Sequence, residues 1–175
     1  LSVPAGVTSF TVTYPTSGDT TDEADETVDL TVGGVAATGT IVDNDGAPTI
    51  QSVSDASVTE GGDLVHTVTL SNASSVASSF AFSLAGNTAS AADFGAPSFT
   101  NGVTLAAGNI TVPAGVTSFD VSYPTSNDTT DEPDETVDLS VGGVAAVGTI
   151  VDNDGAPTVA SVTDASVTEG GNLTH

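Results

Sequence analysis

Residues 1–66 return almost unchanged at 110–175. LSVPAGVTSF at 1–10 reappears as ITVPAGVTSF at 110–119, and DETVDLTVGGVAATGTIVDNDGAPT at 25–49 as DETVDLSVGGVAAVGTIVDNDGAPT at 134–158. The offset is 109 residues throughout, with no insertion, and 53 of the 66 aligned positions are identical. A period this regular sets the organisation before any single residue is read: one module recurs in tandem. The phrase Val-Asp-Asn-Asp-Gly-Ala-Pro reads as the module junction. Gly46 and Pro48, and again Gly155 and Pro157, break strands and stiffen a short linker. On this reading the chain starts and ends inside repeats. Residues 1–45 are the C-terminal part of one repeat, 47–154 a complete repeat, and 156–175 the N-terminal part of the next.

Short alternating segments fill the module. They are 64–70 (LVHTVTL), 79–84 (SFAFSL), 118–123 (SFDVSY), 137–141 (VDLSV) and the run 144–151, each rich in Val, Thr or Phe and bounded by Gly, Pro, Asn or Asp. Apolar periodicity of helical length is absent. Seven or more such strands in about 109 residues predict an all-β, immunoglobulin-like sandwich, repeated in a linear array. Phe119, Val121 and Tyr123 on one strand, and Val137, Leu139 and Val141 on another, are the expected inward faces.

The charge is one-sided. The chain carries 23 acidic residues and no Lys or Arg, for a formal net charge of −23. Nucleic-acid backbone binding and polybasic membrane contact both need Lys and Arg, so both are excluded as functions of this segment. No apolar run is long enough to span a bilayer, and the N-terminal residues do not form a signal peptide, so any secretion signal lies elsewhere. With 38% hydrophobic residues the chain has enough apolar surface for a core. Cys is absent, so no disulfide assists it.

The acids sit in turns and at strand ends. Glu60 lies in Val-Thr-Glu-Gly-Gly, between the first two strands, and Asp93 in Ala-Ala-Asp-Phe-Gly. Five acids crowd the loop from Asp128 to Glu135, and Asp152-Asn153-Asp154 closes the last strand. Carboxylates packed this way repel one another, and the chain offers no cation to offset them. A hard divalent ion with many oxygen ligands does. Calcium suits an irregular, loop-borne set better than magnesium, and zinc is poorly served without Cys and with one His per repeat. The spacing is neither an EF-hand nor a glycine-rich nonapeptide.

Three features together resemble the Calx-β domain: the Glu-Gly turn at Val58-Thr59-Glu60-Gly61-Gly62, the acidic loop Asp128–Glu135 leading into Thr-Val-Asp-Leu, and the closing Ile150-Val151-Asp152-Asn153-Asp154. Asn153 stands where the family more often has a third Asp. Near-identical tandem copies, no Cys, no Lys and the opening Ala47-Pro48-Thr49-Ile50 look most like extender repeats of giant bacterial RTX adhesins. The resemblance implies type I secretion, a cell-surface location and a role in biofilm or surface attachment. It also implies several calcium ions per repeat near the module junctions. The ligands it implies are Glu60, Asp93, Asp128, Glu132, Glu135, Asp152 and Asp154, with a carbonyl near Thr130. In the first partial repeat the counterparts are Asp19, Glu23, Glu26, Asp43 and Asp45, with none for Glu60 or Asp93. Glu169 is the counterpart of Glu60 in the third copy. Asp131 and Asp134, like Asp22 and Asp25, are left open between ion and solvent. Asp120 and Asp138 fall mid-strand on the face expected to meet water.

His66 and His175 share one repeat position on an apolar face, which marks a packed or hydrogen-bonded His rather than a catalytic base. No Gly-x-Ser-x-Gly or comparable nucleophile motif is present, and an enzyme is not expected. The Asn-x-Ser/Thr sequons at Asn72, Asn109, Asn127 and Asn172 matter only in a eukaryotic secretory pathway. The expected function is a calcium-stabilised extender holding a distal adhesive domain away from a cell. Its partners are neighbouring repeats of the same chain, with no small-molecule substrate. The alternatives are an adhesive ligand-binding module, disfavoured by only 5% aromatic residues, and a Calx-β calcium sensor.

Overall fold

A computed structural model describes residues 2–175; Leu1, which opens the repeat alignment, lies outside the described residues. All regular structure is β. Residues 1–45 contribute β1 (Thr21–Asp22), β2 (Glu26–Val32) and β3 (Val35–Ile41). Then follow β4 (Ile50–Val53), β5 (Ala56–Thr59), β6 (Asp63–Leu70), β7 (Ala73–Ser74), β8 (Ser78–Gly86), β9 (Ser98–Phe99), β10 (Thr104–Ala106), β11 (Asn109–Val112), β12 (Ser118–Pro124), β13 (Glu135–Val141) and β14 (Val144–Val151).

Two sheets face each other. One has the order β4-β6-β12-β9, the other β10-β11-β8-β13-β14-β5. The first strand of the module is split between them. β4 pairs antiparallel with β6 in one sheet, while β5 pairs parallel with β14 in the other. This division, with the first, second, fifth and fourth strand positions on one side, is the immunoglobulin-type sandwich arrangement. The crossing lies at Ser54-Asp55. Ser54 stays bonded to β6 through Thr67, and the Asp55 carboxylate takes the N–H of Val147 on β14 (2.8 Å).

Period-two alternation sets what goes inside. Along β6, Leu64, His66, Val68 and Leu70 are buried while Asp63, Val65 and Thr67 are exposed. Phe119, Val121 and Tyr123 of β12 face Val137, Leu139 and Val141 of β13, and all six are at most 2% exposed. Each contributes on the order of 1.5–3 kcal/mol by leaving water. The tight turn between β13 and β14 is Gly142-Gly143, with φ of 56° and 85°. Two consecutive left-handed residues match a two-residue hairpin turn, which only Gly or Asn adopts cheaply.

His66 is fully buried among these side chains. Its Nδ1 donates to the Ser54 carbonyl (2.7 Å), and its Nε2 accepts from the Tyr123 hydroxyl (3.0 Å). Burial pushes the Tyr123 phenol up to about 12, so it stays protonated as a donor. The pair thus satisfies two polar groups inside the core, matching the expected structural role for His66.

The flanking segments are simpler. β2 and β3 repeat the β13–β14 hairpin in the same register. Residues 9–15, the counterpart of β12, form no strand. The ladder partners of β12 are β6 and β9, and neither has a counterpart within residues 1–45. Phe10, Val12 and Tyr14 consequently remain more than 40% exposed. Residues 156–175 form no strand either, yet His175 Nδ1 bonds the Thr163 carbonyl (3.0 Å), as His66 does Ser54.

Candidate metal centre

Glu60 lies in the turn joining β5 to β6. Its N–H donates to the Val151 carbonyl (3.0 Å), extending the parallel β5–β14 pairing by one step. Two residues on, the Gly62 carbonyl accepts both the N–H and the hydroxyl of Thr125 (2.8 Å each), which follows β12. The turn is therefore held from both sheets. Because β14 ends at Val151, the same register delivers Asp152 and Asp154 directly beside Glu60. One carboxylate oxygen from each of the three lies within 4.8 Å of the others. With all three ionised, Glu60 Oε1 and Asp154 Oδ2 are buried without a hydrogen-bond donor.

Backbone N–H groups captured by carboxylates of the Asp128–Glu135 loop and by Asp152 tie the loop to the end of β14. Asp128 Oδ1 accepts from Thr130 (2.7 Å), Asp152 Oδ2 from Glu132 (3.1 Å), Asp134 Oδ1 from Asp152 (3.2 Å) and Asp152 Oδ1 from Asp154 (3.2 Å). Asp93 sits in a loop sewn to the end of β12: its carbonyl takes the Ser126 N–H (2.8 Å), and its carboxylate takes the Ser90 N–H.

Charge perturbation maps which acids meet. Burial pushes the Glu60 carboxyl above its usual range. A hydrogen bond and charge from Asp154 add to this, as does the Asp128 charge, against a smaller opposing effect of the Asn153 N–H. Burial likewise raises Glu135, followed by the charge of Asp93, a hydrogen bond with it, and the charges of Glu132 and Asp128. Asp128 acts on both Glu60 and Glu135, while the carboxylates brought within 4.8 Å of one another are those of Glu60, Asp152 and Asp154. On the strands that lead to these acids, Leu64, Tyr123, Val137 and Ile150 share one buried apolar cluster.

The first partial repeat builds the same loop. Thr21 donates to Asp19 (2.7 Å), Glu23 to Asp43 (3.0 Å), Asp43 to Asp25 (3.0 Å) and Asp45 to Asp43 (3.2 Å). Asp19, Glu23, Glu26, Asp43 and Asp45 line a cavity of about 50 Å³. The Asp19 charge holds the Glu23 carboxyl above its usual range, with burial next and then Glu26, Asp43 and Asp45. This geometry forms without an equivalent of Glu60 or Asp93.

The donor set fits a hard cation. Every candidate side-chain ligand is a carboxylate, and the chain contains no Lys or Arg to neutralise them. Two donor-less buried oxygens from opposite ends of the module lack only a positive charge, and oxygen-only, multi-carboxylate sites are the chemistry of calcium.

Several acids do other work. Asp134 and Asp25, left open between ion and solvent, each accept the N–H that positions Asp152 and Asp43. Asn153 donates to Asn127 Oδ1 (3.0 Å) and so ties the residue before the acidic loop to the segment that follows β14. Gly18 replaces Asn127 in the first copy, and that difference is the only signal in the sequence for this tie. Asp138 is exposed, as expected. Asp120 is half-buried rather than free, and accepts from the Thr67 hydroxyl across the β12–β6 ladder (3.0 Å). Glu169 is exposed and joins no acidic cluster among the described residues.

No protein-family model matches the chain, and no curated protein matches it. Among solved structures it is similar to CBD12 from CALX1.2, at 21% identity and a TM-score of 0.45 over 61% of this chain and 45% of that one. It is similar to the apo-form Calx CBD1 domain at 19% identity and a TM-score of 0.45, over 61% of this chain and 96% of that one. A cohesin from scaffoldin B of Acetivibrio cellulolyticus aligns at 13% identity with a TM-score of 0.28.

Proposed function

We propose that the chain is a calcium-stabilised extender repeat of a bacterial cell-surface adhesin, one of a series that projects a distal adhesive domain away from the cell. The observation that carries the calcium part is the convergence of Glu60, Asp152 and Asp154 with two buried oxygens lacking a donor. Calcium would supply the missing positive charge there. The protein's own contribution is to hold the carboxylates in place through the β5–β14 register and the backbone bonds of Asp134 and Asp152. The extender part rests on the 109-residue repeat. Near-identical modules suit a spacer, which needs sameness, better than a recognition surface, which needs distinctive loops. Secretion by a type I system and extracellular location belong to the same proposal: extracellular calcium sites of about 10⁻⁴–10⁻³ M fill only outside the cell.

The position of the cluster also suggests its mechanical effect. Asp152 and Asp154 are the last residues before Gly155, where the linker begins. Neutralising them fixes the direction in which the chain leaves the sandwich, and Pro157 restricts the next step. Small-angle scattering on a four-repeat chain tests the proposal. A long rod in millimolar calcium that shortens in EDTA is the expected result. An unchanged maximum dimension with folded modules would leave calcium as a stabiliser of single domains and remove the stiffening role.

A further inference from the structure

One acid of the first acidic loop faces away from the cavity. Asp22 lies between Asp19 and Glu23, which line it, but its own partner is in the following repeat. β1 pairs in parallel with β7, setting Thr21 against Ala73 and Asp22 against Ser74. The Asp22 carbonyl accepts the Ser75 N–H (2.8 Å), and Asp22 Oδ2 accepts the Ser74 hydroxyl (2.7 Å). Ser74 is 4% exposed and built firmly into its module, with its carbonyl accepting from Gly115 (2.9 Å) and its Oγ from Val76 (3.3 Å). A second tether lies alongside: Asn72 Nδ2 donates to the Gly46 carbonyl of the linker (2.8 Å).

The chemistry of the two surfaces is complementary. The receiving stretch, Asn72-Ala73-Ser74-Ser75, holds no acid and offers hydroxyl, amide and backbone N–H donors. No acid lies between Asp63 and Asp93, so this segment sets no charge of its own against the Asp22 carboxylate. Asp131 occupies the same repeat position as Asp22 and is exposed. The repeat position of Ser74 does not recur within residues 156–175, so Asp131 has no such surface to meet here.

The geometry points to Asp22 as a docking residue rather than an ion ligand. It clips the acidic loop of one repeat onto the Asn72–Ser75 segment of the next, and Asp131 serves the following joint in the same way. The clip fixes the second side of the joint: the linker leaves the module at one point, and the loop touches the next module at another. It rests on hydrogen bonds alone and stands whether or not the carboxylate cluster binds calcium.

The 175-residue chain contains one such joint and, at Asp131, one equivalent position outside it, which makes a controlled test possible. Amide hydrogen exchange at Ser75 reads the clip directly. In the unmodified chain Ser75 is protected. Asp22→Ala should speed its exchange about tenfold, the loss of roughly one charge-assisted hydrogen bond and the backbone pair beside it. Asp131→Ala, the same chemical change at the equivalent position of the second acidic loop, should leave Ser75 unaltered. Ser74→Ala should reproduce Asp22→Ala, and the double variant should add nothing further. Amides of β13 and β14 report that the module stays folded. Equal exchange in the unmodified chain and Asp22→Ala, or equal effects of Asp22→Ala and Asp131→Ala, overturns the proposal. A calcium titration separates docking from ligation: a loss of affinity in Asp22→Ala that matches Asp19→Ala makes Asp22 a ligand and also overturns it.

Discussion

Glu60 and Asp154 stand at opposite ends of the complete module's sequence, and each buries one carboxylate oxygen where no donor reaches it. The parallel register of β5 on β14 brings them together, with Val151 opposite Thr59 and the two acids just beyond. Two ionised carboxylates in this position repel each other. The molecule has two ways to relieve them: a proton taken up by Glu60, whose carboxyl is raised first by burial and then by the hydrogen bond and charge of Asp154, or a cation held by both and by Asp152.

Calcium removal should therefore destabilise the fold. A ligand that binds only the folded state adds about 2.7 kcal/mol per site at a hundredfold excess over its Kd. Thermal melting in millimolar calcium and in excess EDTA measures the difference, and magnesium should restore little of it, since it tolerates irregular multi-carboxylate sites poorly. Superimposable melting curves would end the calcium reading.

Site residues should separate from bystanders. Glu60→Gln and Asp152→Asn should each weaken calcium binding by more than about tenfold, as losing a ligand costs at least what losing its supporting partner does. Asp138→Asn, on an exposed mid-strand position, should change it little. Isothermal titration on the three variants checks this, and equal losses would mean that overall charge rather than a built site holds the ion.

The pH dependence should reverse with calcium. Glu23, Glu60 and Glu135 all have folded-state values raised above the reference of 4.5. A raised carboxyl makes the folded state the better proton binder. Its contribution is complete below the unfolded value and is lost as pH rises through the folded one. In EDTA, stability should thus increase as pH falls from neutral towards about 4.5. In calcium, protons compete for the same oxygens, and stability should fall over that window. Melting temperatures between pH 7 and 4.5 in both buffers decide it, and parallel trends would be the adverse result.

The core beneath the site should respond independently. A Cβ added at Gly148 would strike the Tyr123 hydroxyl and press on Leu64, whereas one at Gly155 would meet open space. Gly148→Ala should cost about 1–3 kcal/mol. Tyr123→Phe should cost a similar amount, about 1–3 kcal/mol, by leaving the buried His66 Nε2 without its donor. Gly155→Ala should be close to neutral. Urea unfolding gives all three, and a destabilised Gly155→Ala alongside a tolerated Gly148→Ala would contradict the packing described.

What the sequence determined by itself was short-range and periodic. Alternation at β6, β12 and β13 announced which side chains go inward, because side-chain direction in a strand is set every two residues. The acidic loop was legible too, since its bonds from Asp128, Asp134 and Asp152 close within 20 residues and recur in the first copy without an equivalent of Glu60 or Asp93. Tertiary structure decided the rest. The switch of the first strand from one sheet to the other at Ser54-Asp55 leaves no mark in periodicity, yet it alone carries Glu60 to Asp152 and Asp154. His66 finds Tyr123 only across the β6–β12 ladder. Asp22 and Asp19 look alike in a run of acids, and only the packing of one repeat on the next sends one to Ser74 and leaves the other at the cavity. Local patterns specify how each segment folds. Which distant carboxylates share a space depends on strand register, and register is a property of the assembled sheets.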